Sequence, residues 1–190
     1  MANTDRPNGF EFAKSHLGAV QPQLRRYQAA DRTANSTGSW GDIYIGDPVA
    51  LSSGKALPAN KGDTVAGVVV AIGKDSTGFG ETQGFDPDNL GKRYLAYSEP
   101  GYVWVVPAEG NTFRVQTSAD LDLVAGSTAD MNIVAATAHG SRATGNSNVE
   151  LITASAADVI VVENDLAIDN DTTLANATHF VRFINAANPI

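Results

Sequence analysis

A chain of 190 residues with 43% hydrophobic side chains is long enough for one domain with its own core and too apolar for wholesale disorder. It has no cysteine, which excludes a disulfide framework and thiolate metal sites and fits synthesis in a reducing cytosol. The net charge of −8 is uneven: residues 1–35 carry five basic and three acidic side chains and the remainder eight and eighteen, an acidic body that would repel phosphates and argues against nucleic acid as a partner.

The opening, Met1 to Phe10, has no basic segment followed by an apolar run, so no secretory leader is expected. Residues 1–35 are rich in turn formers (Pro7-Asn8-Gly9, Gln21-Pro22-Gln23, Asp31 to Gly38) and sustain no helical apolar stripe. They predict an extended N-terminal arm with short strands around Phe10–Phe12 and Leu24–Tyr27. Its spaced apolar side chains, Phe10, Phe12, Leu17, Leu24 and Tyr27, together with Arg25 and Arg26, are the candidate partner-binding residues.

Residues 36–190 predict one β-rich domain. Asp42 to Leu51 reads as a short strand, a turn at Gly46-Asp47-Pro48 and a second strand, followed by a turn at Ser52 to Lys55. Val65 to Ile72 is β-branched and nearly continuous, the pattern of a strand buried on both faces. A polar, glycine-containing loop follows from Gly73 to Asn89. Further strands are expected at Tyr94–Tyr97, Tyr102–Val106, Thr112–Gln116, Asp120–Val124, Met131–Ala135, Asn148–Thr153, Asp158–Val162 and Thr178–Asn185. Strands of this length between Gly/Pro turns predict a mainly β fold, a single barrel- or sandwich-like domain. No run of eighteen apolar residues occurs, so no membrane span is expected.

Motifs for chemistry are sparse. His16, His139 and His179 lack HxxxH, HxH or HExxH spacing, and His139-Gly140-Ser141 has no GxSxG elbow, so each is expected to be ordinary, His139 as a solvated loop residue. Gly78-Phe79-Gly80 and Gly91-Lys92 match no phosphate-binding loop. Asn164-Asp165 and Asp169-Asn170-Asp171 form a carboxylate cluster without the central glycine and closing glutamate of an EF-hand; an acidic turn is expected in place of a cation site. No catalytic residue, metal ligand or cofactor site is therefore assigned, and the chain is not expected to be an enzyme.

The pieces, in order, resemble a family of head decoration (cement) proteins of tailed phages. The start Met1-Ala2-Asn3-Thr4-Asp5-Arg6-Pro7-Asn8-Gly9 is similar to that family's opening, and Gly46-Asp47-Pro48-Val49-Ala50-Leu51 to one of its strands. The segments Gly62 to Val70, Asp86-Pro87-Asp88-Asn89-Leu90, Tyr102-Val103-Trp104-Val105 and Phe113-Arg114-Val115-Gln116 follow the family's order, as does the close Ala177 to Asn185. The sequence departs from the pattern at Pro107, beside Ala108-Glu109, and at Phe180, where the family tends to have Trp or Leu. The resemblance implies a structural protein made in the host cytoplasm and placed on the exterior of the virion. Its implied partners are the major capsid protein and itself, as a homotrimer, with no nucleic acid and no membrane. On that reading the arm lies on a neighbouring subunit or on the capsid. The alternative is a carbohydrate- or receptor-binding β-module, for which Trp40, Tyr97, Tyr102 and Trp104 are candidate platforms.

Overall fold

The computed structural model describes residues 3–15, 22–30, 41–74, 94–97, 99–133, 139–167 and 169–187. In chain order the strands are β1 (Glu11–Ser15), β2 (Arg25–Gln28), β3 (Ile43–Tyr44), β4 (Pro48–Ser52), β5 (Lys55–Pro58), β6 (Gly67–Lys74) and β7 (Tyr94–Leu95). They continue with β8 (Gly101–Pro107), β9 (Asn111–Gln116), β10 (Thr128–Met131), β11 (Leu151–Thr153), β12 (Val159–Asn164) and β13 (Thr178–Phe183). The described residues contain no helix. One sheet runs β1-β9-β13-β12-β10-β11, a second β2-β8-β6-β4-β5, and β3 pairs with β7 in a small third.

Every ladder is antiparallel, and the two large sheets pack as a sandwich. Val68 and Val69 are both fully buried because β6 faces a core on each side. Val68 joins Phe10, Phe113, Val181 and Phe183 between the sheets, and Val69 joins Val49, Val103 and Val105 on the other face of the second sheet. That sheet curls around the second core until Ala29, just past β2, meets Ala56 of β5 in a single parallel bridge. It stops short of a closed barrel. Ile43 and Leu95, paired across the small sheet, close the end of this second core.

The β4–β5 hairpin turns on Ser53 and Gly54, both at positive φ (51° and 77°), the backbone that matches a two-residue turn to the strand twist. β5 itself was not expected from the sequence: four residues ending in a proline carry too little pattern. Asp120–Val124 is not a strand. Asp122 sits at φ 43°, which breaks an extended run although Leu123 is buried. Of the strand expected at Met131–Ala135, Met131 ends β10 (Thr128–Met131), Asn132 and Ile133 are not strand, and the last two positions lie outside the described residues.

The largest correction concerns the leader. Its described residues do not extend from the body; they complete it. β1 pairs with β9 at one edge of the first sheet, and β2 with β8 at one edge of the second. Phe10 is 2% exposed, its ring 4.8 Å from that of Phe183. Phe10 N–H donates to the Gly46 carbonyl, and Asn3 Nδ2 donates to the carbonyls of Asp171 and Ala175. Gly46, at φ 91°, has no room for a Cβ, which would collide with the Asn8 carbonyl oxygen. An apolar leader folds back because its own core offers more dry contact than solvent does.

Candidate functional site

The leader residues predicted to bind a partner are not brought together. Phe10 lies in the first core and Phe12 packs against it. On β2, alternation divides the rest: Tyr27 packs against the second core, and Arg26 lies on the opposite face with its guanidinium 4.9 Å from the Tyr102 ring centroid. Arg25, opposite Val105, points to the other side from Arg26. Leu24 is 52% exposed. Leu17 lies outside the described residues, as do His16 and Trp40.

Three buried polar clusters stand out that sequence reasoning missed. The first joins the β3 region to the loop at 139–147. His139 is not a solvated loop residue: it is 7% exposed, and its Nε2 lies 3.1 Å from Asp47 Oδ2, which also accepts the Tyr44 N–H at 2.7 Å. Asp42 accepts from Arg142 Nε at 2.6 Å, from the Tyr44 hydroxyl at 3.1 Å and from the Tyr97 N–H at 3.0 Å. Burial, and then the Asp42 carboxylate, push the Tyr44 phenol up to about 12. Tyr44 stacks on Tyr94 and meets the edge of the His139 ring. The glycines make this possible. A Cβ on Gly140 would overlap the Tyr44 ring, and one on Gly41 would lie 2.8 Å from His139 Cε1. The pairs Gly41-Asp42 and His139-Gly140 were the available sequence signal.

An Asp–His pair invites a catalytic reading. Of the two serine hydroxyls in this loop, Ser147 Oγ donates to the His139 carbonyl and Ser141 Oγ accepts the Thr144 N–H. Together with the cross-loop hydrogen bonds, this makes the pair a pin between loop and sheet.

The second cluster ties the two sheets. Asp130, fully buried on β10, accepts from the backbone N–H groups of Ser155, Ala156 and Ala157, from Ser155 Oγ, and from Lys61 Nζ at 2.7 Å. Burial alone would raise its carboxyl, but Lys61 and these donors outweigh burial and hold it far below the usual carboxylate range. Asp158 accepts from Gly62 N–H at 2.7 Å and Met131 N–H at 2.9 Å; there burial wins, and its carboxyl is raised. The turn carrying Lys61 and Gly62 is thereby clamped to β10 and β12.

In the third, Gln116 Nε2 donates to Asp5 and Glu150, each at 3.1 Å, and Gln116 Oε1 accepts the Arg6 N–H. Burial, then the nearby Asp5, raise the Glu150 carboxyl.

The acidic segment near 165–171 builds a turn. Asp171 accepts from Thr173 N–H and Oγ1, Asp165 from Ala167 N–H and Arg114 Nε, and Asn170 bridges Asp165 and Thr178. Among the described residues no group of three or more His, Cys, Asp or Glu side chains is placed to hold a metal ion.

Open surface features lie on the first sheet's outer side. Ala125, Glu163, Asn164, Leu166 and Phe180 line a groove of about 440 Å³, with Leu166 89% exposed at its rim. The charges there are paired: Lys14 with Glu163, and Arg114 with Asp165 and Glu11. Comparisons with protein-family models, curated proteins and solved structures found no match.

Proposed function

We propose that this chain is a virion structural protein that binds the outer surface of an expanded phage capsid and stabilises it by bridging capsomers. The observation that carries the reading is the ordered set of motifs from Met1-Ala2-Asn3 to Phe183-Ile184-Asn185, which spans nearly the whole chain. The build of the molecule supports it. Its buried Asp and His side chains cross-brace loops and sheets, as a protein under mechanical load requires. A partner that binds only the expanded shell stabilises that state by mass action. The major capsid protein is the proposed partner, with self-association as a homotrimer. Of the six described leader residues, Leu24 and Arg26 are exposed and present enough surface to contact a partner.

The test uses purified full-length protein, light scattering for its mass, and co-sedimentation with emptied heads in expanded and unexpanded forms. Binding confined to expanded heads, with a raised temperature of head disruption, is the expected result. Equal binding to both forms, or to neither, would overturn the proposal.

A further inference from the structure

The convex face of the second sheet carries hydrogen-bonding capacity that the fold does not use. On β8, Val103 and Val105 are fully buried toward the second core, so Tyr102 and Trp104 stand on the opposite face, and both keep part of their surface exposed. Were this part of the face covered by the first sheet, both rings would be buried as Val106 is. The register sets Arg26 of β2 opposite Trp104 and Gln28 opposite Tyr102, while Ala71 of β6 flanks Trp104 on its other side. Arg26 and Gln28 are exposed. Among the described residues, the Arg26 guanidinium, the Gln28 amide, the Tyr102 hydroxyl and the Trp104 indole N–H have no hydrogen-bond or ion-pair partner; the one polar–aromatic contact is Arg26 over Tyr102. The first sheet's outer side differs, because its charges are paired with each other.

Two aromatic rings two residues apart on one strand lie about 7 Å from each other. Beside them stand two planar side chains able to make paired hydrogen bonds. That set matches a ligand with an apolar C–H face and a rim of hydroxyls. A protein hot spot draws on the same Trp, Tyr and Arg side chains but rings them with packed contacts that exclude water, whereas these rings are flanked by the exposed Gln28 and the small Ala71. A nucleic-acid strand would stack on the same rings, but the −10 body opposes a polyanion. We propose that this face binds a neutral saccharide, with Trp104 and Tyr102 stacking on its sugar rings and Arg26 and Gln28 bonding its hydroxyls. The proposal does not rest on the capsid reading, with which it shares Arg26 but not Gln28, Tyr102 or Trp104.

Titration calorimetry of the full-length protein against cello-, chito-, malto- and mannohexaose tests it. One of the four should bind with a dissociation constant of about 1 mM or tighter. Trp104→Ala should weaken that binding about tenfold. Arg26→Ala and Gln28→Ala, both at exposed positions that leave the fold intact, should each weaken it several-fold at an unchanged melting temperature. Absence of binding by all four sugars would overturn the proposal. So would binding that Arg26→Ala and Gln28→Ala leave unchanged, or a Trp104-dependent capture of capsid protein without any sugar affinity. Head co-sedimentation by Gln28→Ala should match the parent protein, which keeps this outcome separate from that of the capsid reading.

Discussion

Phe10 is the leader side chain with most to lose. It is 2% exposed and packs on Phe183, so Phe10→Ala removes a ring from a core that cannot fully collapse and should destabilise the protein by about 3–5 kcal/mol. Leu24→Ala, at an exposed position, should change stability by less than about 0.5 kcal/mol. Urea unfolding of both variants checks the contrast, and equal effects would mean that Phe10 is not seated in this core. Asp130→Asn leaves Lys61 and several buried donors without their anion and should cost about 2–4 kcal/mol. The same carboxyl sets part of the acid response. Its folded pKa is depressed, so its contribution is present above the unfolded value of about 4 and is lost as pH falls through the folded one. His179 is depressed too, chiefly by burial. There the unfolded chain takes the proton first, so stability declines as pH drops from about 6.5 toward the folded value. The raised Asp158 carboxyl works the other way, since the folded protein holds that proton more tightly. Melting temperature followed from pH 8 to 3 should therefore fall in two windows. His179→Gln should flatten the upper window and Asp130→Asn the lower.

β1 and β2 come from one leader yet complete two different sheets, so the leader acts as a pair of edge strands. Deleting residues 2–30 would strip an edge from each sheet and remove Phe10, Tyr27 and Ala29 from the two cores. The truncated chain should be insoluble or molten, shown by loss of near-ultraviolet dichroism; a folded, cooperative fragment would contradict the assignment of these strands. Val68→Asp, which sets an unpaired charge between the sheets, should likewise fail to fold. The central strands were legible because their signal is local. Val65 to Ile72, Tyr102 to Val106 and Thr112 to Gln116 are dense in β-branched and aromatic residues, and each carries a strand. Asp120 to Val124 imitates that alternation, but its backbone turns at Asp122. The destination of the leader was not legible. A phenylalanine among prolines and glycines looks the same whether it ends on a neighbour or on Phe183, and only the long-range fold decides. His139 was misread for the same reason, because its partner Asp47 lies far along the chain.

Across the whole molecule, the curled second sheet, the small sheet and the clamp at Asp130 and Asp158 leave few loose joints among the described residues. The placement of the leader also has a consequence in time. β1 and β2 leave the ribosome well before the strands they pair with: β1 needs β9, which starts at Asn111, and β2 needs β8, which starts at Gly101. β9 in turn lies between β1 and β13, and β13 ends at Phe183. A growing chain therefore carries its leader strands unpaired until β8 and β9 have been made, when such segments are most exposed to wrong partners. Ribosome-bound chains stalled near residue 100 should be cut readily within the leader by protease. Chains released with β13 complete should resist at the same sites.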